Sequence, residues 1–273
     1  MFKLIAVDLD GTLLNSKKQI SDVSKIALQA AVEKGVGIII CSGRIFAGAK
    51  VFAYEAGLLQ GPLIACNGAL IKNLRSEELL YSKLLHKEDC LRVIDICHRE
   101  ELYFHAYVED ALYTEKLEFS ALSYWTKNKK LPKNQQIDIR LIADLAEMFY
   151  EGMISASKFV VISKDMEKLL RARQYVEQIQ GVKVMSSDYD NFEVVHNEVD
   201  KGSALMLISE RLNIRKDEII AIGDNENDLS MLEYAGLGVA MGNARHFIKE
   251  IADYITVSND ENGVAEVIHK FIL

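Results

Sequence analysis

The stretch Leu4-Ile5-Ala6-Val7-Asp8-Leu9-Asp10-Gly11-Thr12-Leu13-Leu14 is an apolar run ending in two aspartates two residues apart. On extended backbone, residues i and i+2 point to the same side, so Asp8 and Asp10 share one face where a buried strand runs out. Two carboxylates about 5 Å apart repel by about 3 kcal/mol at an effective dielectric of roughly 20. A chain that builds such a pair compensates with a cation, a shared proton or both. The other reading is an Asp-Gly turn with both acids solvated. Gly11 lets the backbone turn sharply and approach a ligand closely.

Outward from this strand, the chain alternates. Val23, Ile26, Ala27, Ala30 and Ala31 fall at helical spacing, with Gly35 as a stop. Val36–Cys41 is a continuous apolar run, as in a strand buried on both faces of a parallel sheet. A helix over 46–56 ends at Gly57, and 63–66 is another short strand. This β-α-β-α-β order predicts an α/β fold with a doubly wound parallel sheet. Asn67-Gly68 is a hairpin signal that pairs Ala69–Ile71 with the strand before it.

Between residues 84 and 190 the rhythm becomes irregular. A helix over 87–99 leads into a hairpin, 102–108 and 111–114, about Glu109-Asp110; a strand over 158–163, a helix over 166–179 and a strand over 182–186 follow. This reads as an inserted α+β module. Its aromatics (Tyr103, Phe104, Tyr107, Tyr113, Tyr124 and Trp125) are read mostly as core, with the option of facing a substrate. Alternation returns after Phe192, with a helix over 201–212, a strand over 218–222, a helix over 228–234, a strand over 237–240 and a last helix near Gly263. The predicted organisation is therefore a core of residues 1–83 and 191–273 with an insert of 84–190.

Composition narrows the function. A net charge of −8, with the densest basic cluster only Lys127, Lys129, Lys130 and Lys133, argues against nucleic acid as partner. No apolar run approaches about 18 residues and the first residues lack a signal-peptide profile, so no membrane segment is expected. Cys41, Cys66, Cys90 and Cys97 form no Cys-x-x-Cys pair, which suits a reducing, cytoplasmic compartment.

Three further features lie where a predicted strand ends and a helix or turn begins. Cys41-Ser42-Gly43-Arg44 gathers a hydroxyl and backbone N–H groups at a helix start, a place for a phosphate oxygen; Ser42 as a plain N-cap explains it equally well. Lys201 opens a helix against the macrodipole, so an anionic neighbour would make sense of it; a surface lysine is the simpler reading. Gly223-Asp224-Asn225-Glu226-Asn227-Asp228 clusters oxygen groups suited to a hard cation such as Mg²⁺, or caps the next helix through Asn227 or Asp228. In open α/β sheets this edge is where ligands bind.

In order and spacing, Asp8-Leu9-Asp10-Gly11-Thr12, Ser42-Gly43, Lys201 and Gly223–Asp228 resemble the four motifs of the haloacid dehalogenase superfamily along essentially the whole chain. The insert resembles the larger cap domain of Cof-type sugar-phosphate phosphatases, as do Asn67-Gly68-Ala69 and Met241-Gly242-Asn243-Ala244. The resemblance implies a Rossmann-like core with an α+β cap that closes over the site, and a Mg²⁺-dependent phosphatase acting on small phosphorylated metabolites, sugar phosphates foremost. It implies that Asp8 is the nucleophile, forming an aspartyl-phosphate, and that Asp10 is the general acid and then base. Mg²⁺ would lie on Asp8, Asp224 and the Asp10 carbonyl, with Asn225 near or in its shell. Leu9, Ser42, Gly43, Lys201 and Asn227 would hold the nonreacting phosphate oxygens, and Asp228 would orient Lys201 or the metal's waters. Ser42 stands where the family often has Thr, keeping the hydroxyl; His196 stands where it often has Pro and is read as a structural loop residue. A phosphomutase and a phospho-acceptor signalling domain are the alternatives. Asp10 argues against the second, since a stable phospho-switch needs no general acid.

Overall fold

The computed structural model describes residues 1–273, the side chain of Asn134 excepted. The chain divides into two units, one of Met1–Tyr81 with Asp200–Leu273 and one of Ser82–Val199. The first unit opens with β1 (Leu4–Val7), α1 (Asp22–Glu33), β2 (Gly37–Ile40), α2 (Phe46–Glu55), β3 (Pro62–Ala65), β4 (Leu70–Asn73) and β5 (Leu79–Ser82). The second comprises α3 (Lys87–Arg99), β6 (Tyr103–Val108), β7 (Ala111–Thr114), α4 (Phe119–Asn128), β8 (Asp138–Leu141), α5 (Leu145–Tyr150), β9 (Lys158–Ile162), α6 (Met166–Val176), β10 (Val182–Met185) and β11 (Asn191–His196). The first then resumes with α7 (Lys201–Arg211), β12 (Ile219–Gly223), α8 (Leu229–Tyr234), β13 (Leu237–Ala240), α9 (His246–Ile251), β14 (Tyr254–Ile255) and α10 (Gly263–Phe271).

The first unit is built on a parallel sheet in the order β14-β13-β12-β1-β2. β1 lies between β12 and β2, with Val7 opposite Ile222 on one side and Ile40 on the other. Leu4–Val7 and Ile219–Gly223 are buried at every position, as strands covered on both faces require. The strand register brings Asp8, Cys41-Ser42 and Asp224 to one edge of the sheet, and the chain leaves the central strand there for neighbours on either side. β3 does not continue this sheet. It forms a separate antiparallel sheet, β3-β4-β5, joined to the end of β2 by a bridge between Cys41 and Ile64.

The second unit carries a six-stranded sheet, β10-β11-β9-β6-β7-β8, antiparallel except between β7 and β8. Alternation along β6 sends Phe104, Ala106 and Val108 into a core shared with Val93 and Cys97 of α3, Phe149 of α5, and Leu169 and Ala172 of α6. Tyr103, His105 and Tyr107 take the opposite face, where the Lys158–Glu193 ion pair is also buried, at 2.8 Å. Of the aromatics singled out above, Tyr103, Phe104, Tyr107 and Tyr113 are buried, Tyr124 is half-buried and Trp125 exposed.

Several expectations need correction. The second unit extends to Val199 rather than 190, because β11 pairs antiparallel with β9 and β10. His196 accordingly lies on that strand, where its Nδ1 accepts the Glu198 N–H at 3.2 Å. The residues at helical spacing form α1, which buries Ser24, Ala27, Leu28 and Ala31 and leaves Val23 and Ile26 exposed. The Asn67-Gly68 turn is also longer than a two-residue hairpin: the register runs from Ala65 opposite Leu70, leaving four residues between the strands.

All four cysteines are free and buried, Cys41 and Cys66 in the first unit and Cys90 and Cys97 in the second. Among the described residues, no helix is long and apolar enough to cross a membrane.

Phe159 is fully buried in the second core, with ring centroids 6.4 Å from Phe104 and 5.7 Å from Phe149. Phe159→Ala should therefore destabilise that unit by about 3–5 kcal/mol. The check is a urea denaturation in which the Ser82–Val199 transition moves to lower denaturant.

Candidate active site

At the exit of the central strand, Asp8 meets a cation. Lys201, the first residue of α7, is fully buried and donates from Nζ to Asp8 Oδ1 at 2.6 Å and to Asp228 Oδ1 at 2.5 Å. These are the anionic partners that a lysine at a helix N-terminus calls for. Asp200 caps α7 by accepting the Ser203 N–H at 2.7 Å, so the helix start is fixed independently of the lysine. Asp228 is itself held: its Oδ2 accepts the backbone N–H groups of Asp224 at 2.9 Å and Asn225 at 3.0 Å. The polar run after β12 thus folds back on itself and aims one carboxylate oxygen at Lys201.

Asp224 completes the cluster. Its Oδ1 accepts the Thr12 hydroxyl at 2.9 Å. Gly11 has φ +81°, and a Cβ there would come within 2.4 Å of Asp224 Oδ2, so only glycine lets the first loop pass this close. Asn243 Nδ2 donates to the Gly11 carbonyl at 2.8 Å, tying down the same loop.

Oxygens of Asp8, Asp224 and Asp228 lie within 4.8 Å of one another. Three carboxylates against the single ammonium of Lys201 leave an excess of two negative charges. Burial, then the like charges of Asp228 and Asp224, raises the Asp8 carboxyl well above its ordinary range although Lys201 opposes this. Burial and Asp228 likewise push Asp224 up to about 7. Lys201 moves the other way: burial favours the neutral amine, but Asp228 and Asp8 outweigh it and raise its pKa. An all-oxygen donor set with two surplus charges fits a hard divalent cation.

Asp10 faces elsewhere. Arg44 grips its carboxylate with a two-pronged contact, Nε to Oδ2 at 2.6 Å and Nη2 to Oδ1 at 2.8 Å, and Lys18 Nζ reaches Oδ1 at 2.8 Å. The guanidinium rests over the Phe52 ring, 4.7 Å from its centroid. Burial would raise the Asp10 carboxyl, but the Arg44 and Lys18 contacts win and hold it well below the usual carboxylate range. Asp8 and Asp10 thus leave one strand end with opposite environments.

Of the remaining candidates, Ser42 is buried, with its Oγ accepting the Arg44 N–H at 3.1 Å and its own N–H donating to the Ile64 carbonyl at 2.8 Å. Gly43 lies between the two. The Leu9 carbonyl accepts the N–H groups of Thr12 and Leu14, closing the first loop. Asn227 is buried and donates from Nδ2 to Asn67 Oδ1 at 3.1 Å. The Asn225 side-chain oxygen caps the short turn that follows by accepting the Glu226 N–H at 2.9 Å, and Asp228 stands beside Asp8 and Asp224. Arg44, Lys18, Thr12 and Asn67 are the site residues to which the sequence reading assigns no role. Thr12 and Arg44 lie inside the quoted motifs and so were within reach; Lys18 carries no signal in the sequence.

Comparison with known proteins places this geometry. The sequence profile described as haloacid dehalogenase-like hydrolase matches residues 5–268. The 5-amino-6-(5-phospho-D-ribitylamino)uracil phosphatase YwtE of Bacillus subtilis is 32% identical over 285 residues, covering 99% of this chain and 98% of that protein. The pyridoxal phosphate phosphatase YbhA of Escherichia coli is 30% identical over 271 residues, covering 99% of each. A solved haloacid dehalogenase-like hydrolase from B. subtilis superposes with a TM-score of 0.87 at 32% identity, covering 100% of both chains.

A carboxyl whose pKa is raised on folding stabilises the fold where it is protonated in both states, and that contribution is lost as pH climbs toward the folded value. For Asp224 the window runs from its ordinary 3.8 to about 7. In chelator, Asp224→Asn, which keeps an acceptor for Thr12, should therefore be more stable than wild type at pH 7–8. Near pH 4 the two should converge. Urea midpoints across this range provide the check, and a variant less stable at pH 8 would contradict it.

Proposed function

The chain belongs to the haloacid dehalogenase-like hydrolases, and from that footing we propose that it is a Mg²⁺-dependent phosphatase of small phosphorylated metabolites, sugar phosphates foremost. The observation that carries the reading is Asp8, buried at the end of the central strand, with one oxygen on Lys201 and with Asp224 at hand. Relatives named for a phosphoribityl compound and for pyridoxal phosphate support the substrate class.

In this reading Asp8 attacks phosphorus and carries the phosphoryl group as an acyl phosphate, splitting hydrolysis into two steps. Lys201 fixes the Asp8 carboxylate and offers its charge to the nonreacting phosphate oxygens, with Ser42, the backbone of Leu9 and Gly43, and Asn227 as further holders. Asp8 and Asp224, with the Asp10 carbonyl, would hold Mg²⁺, while Asp228 positions Lys201. Bound there, the ion offsets the surplus negative charge and lets an anionic nucleophile meet a phosphate dianion.

Asp10 as found, ionised against Arg44 and Lys18, is ready to act as the base that takes a proton from water in the second step. To serve as acid in the first step it must be protonated, so an arriving phosphomonoester would draw those cations toward its own charge. Catalysis is assigned to the first unit and choice of substrate to the second. The buried free thiols agree with a cytoplasmic setting.

The test is phosphate release from a panel of phosphorylated sugars, nucleotides and cofactors, with Mg²⁺ and with EDTA. Release should require the metal and vanish in Asp8→Asn. Asp10→Asn should lower kcat by about 10²–10⁴-fold with substrate binding nearly intact. Normal turnover by Asp10→Asn would refute the acid–base assignment. A stable phosphoryl group on Asp8 without release would point to a phosphomutase or a phospho-acceptor.

A further inference from the structure

We infer that Asn67 is a positioning residue for the phosphate-holding groups, acting through Asn227 and the Ser42 loop; the inference rests on the phosphatase reading above. It comes from the turn between β3 and β4. Joining two antiparallel strands takes as few as two residues, and Asn-Gly is the pair best suited to it. Here four residues are used, and Cys66, Asn67 and Gly68 all lie in the left-handed region, with φ of 51°, 58° and 102°. Non-glycine residues held there persist only when their surroundings over-determine them.

What over-determines them is the site. The Cys66 N–H donates to the Arg44 carbonyl at 2.9 Å and the Asn67 N–H to the Ser42 carbonyl at 3.1 Å. With the bond from the Ser42 N–H to Ile64, three backbone hydrogen bonds set the Ser42 loop against this turn. The Asn67 side chain is fully buried, and its Oδ1 accepts the Asn227 Nδ2 proton at 3.1 Å. Fixing one end of the Asn227 amide fixes where the rest of it points. At Gly68 a Cβ would lie 2.3 Å from the Asp200 carbonyl oxygen, so the turn also packs directly on the residue that caps the Lys201 helix.

One turn therefore touches three segments, around Ser42, Lys201 and Asn227, that are far apart in sequence and supply the proposed phosphate contacts. The Asn67 side chain carries a directed bond from that turn into a holder. It tolerates the left-handed backbone because a short polar side chain does so at low cost. The segment thus sets the spacing of the phosphate cradle as well as closing a hairpin.

Asn67→Gly separates the two roles, since glycine keeps the left-handed backbone and deletes the amide. With p-nitrophenyl phosphate and Mg²⁺, kcat/KM should fall about ten- to hundredfold, the worth of one hydrogen bond acting on a charged oxygen. The Ki for inorganic phosphate should rise in parallel, and the urea midpoint should stay near that of wild type. Asn227→Ala should show a loss of similar size, and Asn67→Gly/Asn227→Ala should be no worse than Asn227→Ala alone. Unchanged kcat/KM and Ki with a lowered midpoint, or additive losses in the double variant, would overturn the proposal. If wild type turns nothing over, calorimetry with inorganic phosphate decides separately. Weaker binding by Asn67→Gly then supports the positioning role while the phosphatase reading fails; equal binding, or none to wild type, overturns it.

Discussion

Lys201 between Asp8 and Asp228 is the interaction on which the first unit's functional edge depends. An ammonium fully withdrawn from water is tolerable only with counter-charges at hydrogen-bond distance, and removing one member of such a group leaves the others buried and uncompensated. That requirement pins the start of α7 to the ends of β1 and β12, the first of them 193 residues away along the chain. It also constrains the polar run after β12, because Asp228 reaches Lys201 only if the run folds back onto its own N–H groups. The triad is thus a structural keystone and a source of reactivity at once, and with Asp224 beside it the two surplus negative charges are left for something outside the chain to balance.

The same edge separates its two aspartates by environment. Asp8 shares the single ammonium of Lys201 with other carboxylates, and burial raises its pKa; Asp10, two residues on, is held by a guanidinium and an ammonium of its own. β1 ends at Val7, so both residues lie beyond the strand, and the turn that begins at Leu9 lets their surroundings diverge. Pairs of acids pushed in opposite directions by their neighbours are what two-step proton and group transfer requires.

Much of this could be read before any coordinates. The i, i+2 aspartates, the lysine at an unfavourable helix position and the oxygen-rich run after Gly223 each carry a local physical signal, and the lysine meets the anionic neighbours it called for. What could not be read is where side chains point once the chain has folded. Asn225 and Asp228 offer similar oxygens in one short run, and only the folding back of that run onto its own N–H groups decides that Asp228 reaches Lys201. The pairing of Arg44 and Lys18 with Asp10 depends on two loops meeting in space, which no spacing encodes. Helical spacing marks α1 but not the face it buries: Val23 and Ile26 are apolar yet exposed, while Ser24 is buried beside the cap. β11 belongs to the second unit because it pairs antiparallel with β10 just before it and with β9 about thirty residues back, a partnership that the alternation returning after Phe192 does not reveal.

The placement of the four thiols has a further consequence. Burial pushes Cys41 and Cys97 well above the ordinary thiol range and Cys90 up to about 12, so none of these three presents a thiolate to solvent in the folded state, and Cys66 is buried as well. Because two lie in each unit, the chain carries a built-in clock for each of its halves. An alkylating reagent can modify a cysteine only during an opening that bares it, so the rate at which each pair is labelled reports the opening free energy of its own unit. Breathing of the half that holds Asp8 can in this way be timed apart from breathing of the half that does not, without adding any probe to the protein.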